Sequence, residues 1–446
     1  MPCGETSLSD ALPAKGGGLA SPAMRFFTAL AIYRLLLPLL FIVAFPGWVV
    51  KMLRRGGRNT HLAERMAVYT EPLEFEPCGA VHFHAVSVGE ALLALKLIRE
   101  WRLAEPDRRF VLATGTATGH ALATAAGIDA LRVTYSPLDF RGTVRRYLDC
   151  FEPSQIVLIE GEVWPNLLLE CRRRGLPVRL VNARMSPRSA RRFRRSAAWL
   201  RPLYQTLDAV TIQESEDAEI WQTLGIAREK IHLTGSLKFD PGSGRHPARH
   251  QDYQTMLDSF GLGRPVVLAA STHPGEDAWI ATAIRNARPD LLPVIAPRHA
   301  ERRAEVAADL TAAGFDVTLR SSFSDLPADR GSVLIIDSTG ELRDWTAHAD
   351  VVVIGKSFQC LGGQNPCEAI LAGKPVVFGP HMENFQPLAA RLLAVGGALC
   401  ASDSEELSRA ILTALQSASA RDMTGRATAL LVPHDGATRR ILAILR

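Results

Sequence analysis

The sequence predicts an α/β fold: two doubly wound, Rossmann-like domains in series behind an apolar N-terminal helix. Three observations carry this expectation. Short β-branched runs alternate with helix-compatible segments from residue 80 to residue 379, the pattern of parallel sheets covered on both faces. That rhythm breaks at residues 236–263, where Gly, Pro, Ser and His read as a linker. At 446 residues the chain is also too long for one core. The expected parts are a disordered Gly-, Ser- and Pro-rich extension over 1–24, a membrane anchor over 25–58, a first domain over 59–240 and a second over 241–446.

The anchor comes first in the chain. Residues 35–50 are 16 uncharged residues, slightly short for a transmembrane helix. Counting from Phe26 lengthens the run but places Arg34 inside it, where the side chain snorkels or faces the interface. No small-residue cleavage site follows, as a signal peptide would require. Instead Lys51, Arg54, Arg55 and Arg58 place the C-terminal flank in the cytoplasm, and Trp48 fits an interfacial ring. Spanning the bilayer and lying in its inner leaflet both remain open at this point.

Strands of the first domain are expected at 80–85, 110–113, 132–135, 155–159, 178–182, 209–213 and 231–234. Those of the second are expected at 266–270, 293–296, 317–319, 333–337, 351–355 and 376–379. Ligands bind outside the carboxyl ends of such strands, and two domains of this kind imply a cleft to which both offer loops. This is the architecture of many sugar-nucleotide glycosyltransferases, although fold alone does not settle activity.

Candidate residues therefore belong at strand ends. HFHAVSVGEALL, residues 82–93, reads as strand, turn and helix, with Glu90 at the junction. A carboxylate there either abstracts a proton from an incoming hydroxyl or only complements the helix dipole. IEGEVWPN, residues 159–166, repeats the design, with Glu160 after an apolar run and Trp164-Pro165 opening a helix. Glu160 and Glu162 share one side of an extended segment and suit a developing positive charge. TGSLKFD, residues 234–240, puts Lys238 where the linker begins, suited to a phosphate or a carboxylate. Seven arginines fall between residues 184 and 201, and Arg188, Arg191, Arg192 and Arg195 share one helical face. No nucleic-acid module accompanies them, so the expected partner is a phosphorylated lipid headgroup and not nucleic acid.

In the second domain AASTHPGED, residues 269–277, ends a strand in a Ser/Thr-rich turn. APRHAERRAEV, residues 296–306, places Pro297 and Arg298 at the next strand end, where a guanidinium holds phosphate. DSTGEL, residues 337–342, supplies Gly340, Glu341 and Leu342. In GGQNPCEA, residues 362–369, Asn365 and Pro366 open a helix with Cys367 and Glu368 in its first turn, and Gly373 closes it. Free N–H groups at that helix end suit a phosphate, and Glu368 suits ribose hydroxyls. Four strand ends bearing polar residues point to a nucleotide site. Seven cysteines without a CxxC pair argue against a disulfide framework and fit a reducing compartment. No HExxH, Cys–His cluster or Asp-x-Asp pair occurs, so neither a metal nor a cofactor is expected.

Taken together, SVGE, E-x-E-x-WPN, NARMSPRS, TGSLKFD, STHPGE, PRHAER, TGEL, GGQNPCEA and GPHMENF resemble the bacterial 3-deoxy-D-manno-octulosonic acid (Kdo) transferases of lipopolysaccharide assembly. The resemblance covers nearly all of the chain after residue 25. It implies a GT-B glycosyltransferase that is membrane-associated, inverting and metal-independent, with CMP-Kdo as donor and a lipid A precursor as acceptor at the inner membrane surface. By motif position it makes Glu90 the general base, and Glu160 and Lys238 stabilisers of the transition state. It assigns Pro297, Arg298, Gly340, Glu341, Leu342, Asn365, Pro366, Cys367 and Glu368 to the CMP site. The family more often has GGHN where this chain has Gly362 to Asn365, and two glycines with a Ser where it has Gly355-Lys356-Ser357. Rival readings are a sugar-nucleotide epimerase or hydrolase of the same fold, and a non-catalytic lipid-binding protein.

Overall fold

The structure, a computed structural model, describes residues 22–54, 61–69, 79–161, 163–185, 187–240, 247–325 and 332–446. It divides into two compact units, Met1–Leu233 with Ile444–Arg446, and Thr234–Ala443. Each is built on a seven-stranded parallel sheet.

In the first unit the strands are β1 (Val81–Ala85), β2 (Phe110–Thr114), β3 (Leu131–Tyr135), β4 (Gln155–Ile159), β5 (Val178–Ala183), β6 (Ala209–Ile212) and β7 (Ile231–Leu233). Their order is β3-β2-β1-β4-β5-β6-β7. The chain winds outward from β1 and then returns to its other side as β4, opening a switch point between the two. The second unit carries β8 (Val266–Thr272), β9 (Leu292–Pro297), β10 (Val317–Leu319), β11 (Val333–Ile335), β12 (Val351–Ile354), β13 (Val376–Phe378) and β14 (Leu399–Cys400). The order β10-β11-β9-β8-β12-β13-β14 puts its switch point between β8 and β12. Both sheets are apolar on both faces, as parallel sheets under helices must be, and β1, β2 and β4 are buried throughout.

All thirteen expected strands are present, with ends shifted by two residues at most. Strand β14 was not expected, because two residues carry no pattern. The stretch 236–263 is not a plain linker. It contains the helix Gln251–Asp258, whose Tyr253, Met256 and Leu257 enter the second core. The units part at Thr234, whereas the sequence placed the boundary after Asp240. The reason is local bonding. The Ser236 N–H donates to His434 Nδ1 (3.1 Å), and the Asp240 carboxylate accepts the N–H groups of Gly436 (3.1 Å) and Thr438 (2.7 Å).

The apolar helix runs from Pro22 to Arg54, and Met24–Gly47 is long and apolar enough to cross a membrane. It packs along the first unit through one stripe. Phe26 and Leu30 join that unit's core, Tyr33 packs beside them, and Phe41 meets Phe140 edge-on at 5.6 Å. Phe27, Leu35, Leu39, Ile42 and Val43 are exposed. Arg34 neither snorkels nor faces outward, since its Nε donates to Asn166 Oδ1 at 2.8 Å. Residues 1–21, Arg55, Arg58 and the side chains of Trp48, Lys51 and Arg54 lie outside the described residues.

Candidate active site

At the first switch point Ser87 caps the helix Val88–Ala104. Its Oγ accepts the Glu90 N–H (3.2 Å) and donates to Glu90 Oε1 (2.8 Å), while Oε2 accepts the Val86 N–H (2.8 Å). This is a variant of the capping box, set by Ser preceding Glu by three residues, in which Glu90 takes the N–H one residue before the cap and not that of Ser87 itself. The buried carboxylate is thereby fixed in one orientation at the end of β1. Each of its oxygens retains a further lone pair for an incoming hydroxyl.

Glu160 follows β4, the neighbour of β1. Its backbone is left-handed, with φ 62°. Such a conformation costs a non-glycine residue about 1–2 kcal/mol and persists only where the surroundings enforce it. Here the end of β5 enforces it: the Glu160 N–H donates to Val181 O (2.9 Å), and its carbonyl accepts the Arg184 N–H (3.1 Å). Glu90 and Glu160 thus follow adjacent strands. Glu162 lies outside the described residues.

Beyond this loop the helix Pro165–Arg174 begins. The N–H groups of Asn166 and Leu167 donate to Asp139 Oδ2 and Oδ1, both at 2.9 Å, and the Tyr33 hydroxyl donates to Oδ2 at 2.8 Å. Burial pushes the Asp139 pKa up to about 6, against the pull of these bonds and of the Arg34 charge. Asp139 was not legible as a site residue, because the groups it serves lie 27 residues away in the chain. Lys238 is half-buried in the turn between Ser236 and Asp240 and belongs to the second unit.

The second switch point is organised by Glu276, a fully buried residue the sequence analysis passed over. Its carboxylate accepts four backbone N–H groups, those of His273 (3.1 Å), Lys356 (2.6 Å), Phe358 (3.1 Å) and Gln359 (3.4 Å). Pro297 ends β9, and the Arg298 N–H donates to Thr272 O (3.0 Å) with its side chain exposed. Gly340 is left-handed at φ 87° and leads to Glu341 and the helix Leu342–His348. The Glu341 carboxylate is committed internally, to the Ser338 hydroxyl, Trp345 Nε1 (3.4 Å) and Arg320 (3.6 Å). Leu342 packs against the core. Neither the Glu341 carboxylate nor the Leu342 side chain of this turn is left open, which leaves its backbone groups.

The helix expected at Asn365 and Pro366 starts at Cys367 and ends at Leu371, a length of five residues. So short a helix has little macrodipole, and Asn365 Oδ1 already accepts the Cys367 N–H (3.0 Å). The expected anion site at this helix end is thus weaker than the sequence suggested. Pro366 is buried, and the buried Cys367 joins the core, while Asn365 is exposed. Gly373, at φ 67°, closes the helix as expected, its N–H donating to Ile370 O (2.9 Å). Glu368 is half-buried; burial raises its pKa, and the charges of Arg343 and Arg298 pull it down. Arg343 is a further cation at this site that the TGEL motif left unmarked.

On the helix Pro187–Tyr204, Arg191, Arg192, Arg195, Ser196 and Trp199 line a concavity of about 770 Å³. The Arg188 side chain lies outside the described residues. Among the described residues no three His, Cys, Asp or Glu side chains gather as a metal-ligand set.

Comparison with known proteins gives this geometry a setting. The family described as 3-deoxy-D-manno-octulosonic-acid transferase (kdotransferase) matches residues 60–241. A 3-deoxy-D-manno-octulosonic acid transferase of Bordetella pertussis is 37% identical over 420 residues, covering 89% of this chain and 94% of its own. The Haemophilus influenzae transferase of the same name is 33% identical over 390 residues, covering 86% and 90%. In fold, the glycotransferase of kitacinnamycin aligns over 82% of this chain and 98% of its own, with a TM-score of 0.50 and 15% identity. With relatives this similar over nearly their whole length, the chain belongs to the 3-deoxy-D-manno-octulosonic acid transferases and is a glycosyltransferase.

Proposed function

We propose that the protein moves Kdo from CMP-Kdo to a sugar hydroxyl of a phosphorylated lipid A precursor, with inversion and without a metal. The observation that carries this reading is the placement of Glu90 and Glu160 after the adjacent strands β1 and β4, in a chain of this family. Glu90 takes the proton of the acceptor hydroxyl as it attacks the anomeric carbon. Glu160 and Lys238 stabilise the charge that develops as CMP leaves. Arg298 and Arg343, whose charges both act on Glu368, meet the departing phosphate, and Glu368 meets the ribose. Pro297, the Gly340–Glu341–Leu342 turn and the Asn365, Pro366 and Cys367 backbone frame the nucleotide. Electrostatic contacts of this kind are each worth about 3 kcal/mol in barrier height. A single displacement with one base inverts the anomeric centre.

The acceptor explains the rest of the surface. The exposed face of the apolar helix suits the inner leaflet at the cytoplasmic face of the inner membrane. Arg191, Arg192 and Arg195 suit the phosphates of a lipid headgroup, with Trp199 against the sugar. The test is incubation of the protein with CMP-Kdo and a tetraacylated lipid A precursor, followed by mass measurement of the lipid. A mass gain of one or more Kdo units is expected. Release of free Kdo without a lipid product would favour a hydrolase and overturn the reading.

A further inference from the structure

We infer that the apolar helix Pro22–Arg54 is a working part of the first unit: through Tyr33 and Arg34 it clamps Asp139 and Asn166 and so positions the loop that carries Glu160. The inference rests on the role proposed for Glu160.

The loop from Glu160 to Trp164 has two ends. The strained Glu160 end is held by β5. The other end is the head of the helix Pro165–Arg174. A helix head exposes N–H groups that a local Ser, Thr, Asp or Asn usually satisfies. Trp164 stands at that position and makes no side-chain cap. The acceptor comes instead from Asp139, in the segment after β3. It holds the Asn166 and Leu167 N–H groups, and its carbonyl accepts Asn166 Nδ2 at 2.6 Å.

A carboxylate as buried as Asp139 needs further partners to stay ionised. The apolar helix supplies them. The Tyr33 hydroxyl donates to Asp139 Oδ2, and Arg34 Nε donates to Asn166 Oδ1 while its charge favours the ionised carboxylate. Adjacent polar residues midway along an apolar helix thus converge on one spot. An arginine within such a helix is costly unless it is paired, and a plain tether has no use for one. The other titratable groups facing this cluster are Arg141 and Arg145 on the helix Arg141–Phe151, and Cys171, whose thiol burial pushes up to about 12. Among the described residues none of these hydrogen-bonds the Asp139 carboxylate, so the Tyr33 hydroxyl and the Arg34 charge polarise it from outside the Asn166 turn.

The test uses the full chain carrying Tyr33→Phe and Arg34→Met. Both changes make the helix more apolar, so membrane attachment is not weakened. The variant is expected to sediment with membranes and bind CMP as the parent does. Its kcat should fall by up to about a hundredfold, because small displacements at a reacting centre are that costly. The fall should appear with a soluble short-chain acceptor as well as with the lipid acceptor. The acid limb of the kcat/KM profile should also move to higher pH, since Asp139 loses the hydroxyl and the guanidinium that favour its ionised form. Tyr33→Phe alone, a milder change, should shift the same limb by less. Unchanged transfer to the soluble acceptor, a loss confined to the lipid acceptor, or a fall in rate with an unmoved acid limb each overturns the clamp. Glu160→Gln, assayed in parallel, separates the two ideas. If it transfers at the parent rate the reading of the site fails; if it is inactive while the double variant is unaffected, only the clamp fails.

Discussion

Glu276 Oε2 accepts the backbone N–H of Lys356 at 2.6 Å, joining the loops that follow β8 and β12. Lys356 is left-handed, with φ 57°, a conformation that glycine adopts freely and other residues do not. The bond holds a conformation that a lysine does not adopt readily. The same carboxylate takes the N–H groups of Phe358 and Gln359, so one buried side chain shapes the whole turn leading to Asn365 and Glu368.

Glu276→Gln should therefore weaken CMP binding although the residue is buried away from solvent. The amide keeps the shape but sets an NH2 group against backbone donors. A loss of about 2 kcal/mol in stability should accompany the change, as for buried bonds to a charged group. Calorimetric titration with CMP and thermal unfolding measure both effects. Unaltered affinity would show that the turn holds without its carboxylate.

Glu90→Gln should lower transfer by at least about two orders of magnitude, the scale of losing a general base. CMP binding should be intact, because Gln retains an oxygen for one of the two capping donors. Ser87→Ala provides a comparison, since it removes the cap at a cost of about 1 kcal/mol in stability and leaves the base in place. Near-normal transfer by Glu90→Gln removes it from the proposed role.

Glu368→Ala should weaken CMP binding in a calorimetric titration. It deletes the ribose partner and removes the carboxylate on which the Arg298 and Arg343 charges act. Equal affinity in parent and variant would take Glu368 out of the site.

Turnover should continue in excess EDTA, because stabilisation of the leaving phosphate is assigned to Arg298 and Arg343. If chelation stops transfer and magnesium restores it, the metal-free mechanism is wrong.

Acid should destabilise the second unit through His348. Burial pushes this imidazole down to about 4, and its Nε2 accepts the His250 N–H at 2.9 Å. An unfolded chain binds the proton near pH 6.5, before the folded one does. Stability therefore falls as the pH drops from about 6.5 toward 4. Asp139, pushed up to about 6, works in the opposite sense over pH 6 to 4 because its folded form binds the proton first. His348→Gln keeps the acceptor without titrating, so its melting temperature should decline less with acid than the parent's. Identical declines would assign the acid sensitivity elsewhere.

Strands were legible because β-branched runs such as VVVI at 351–354 have no stable alternative to a buried parallel strand. Glu90 was legible for a similar reason: Ser87 and Glu90 form a local pattern that places a carboxylate at a known point of the turn. Asp139 and Glu276 were not, because Asp139 serves backbone groups 27 residues distant and three of the four that Glu276 serves are about 80 distant, and no local spacing announces such partners. Arg34 misled for the same reason. Read alone it is a charge in an apolar run, and only Asn166 explains it. The burial of the Cys367 thiol was not legible either, since its place after Pro366 marks a helix start but not which way the side chain turns.

Leu445 and Arg446 bear on how the first unit is made. Gln155, buried in the middle of the first sheet, donates its Nε2–H to the Leu445 carbonyl at 2.9 Å, and Arg446 reaches Glu105 at 3.1 Å. During synthesis the seven strands of the first unit emerge from the ribosome long before residue 445 does. Until then the Gln155 amide lacks the acceptor its burial demands. The first unit is begun early and completed only when residue 445 arrives, so a nascent chain halted before it carries that defect in a unit whose other residues were finished some two hundred positions earlier. Cutting the chain before Leu445 would disturb the unit translated first, not the one it cuts short.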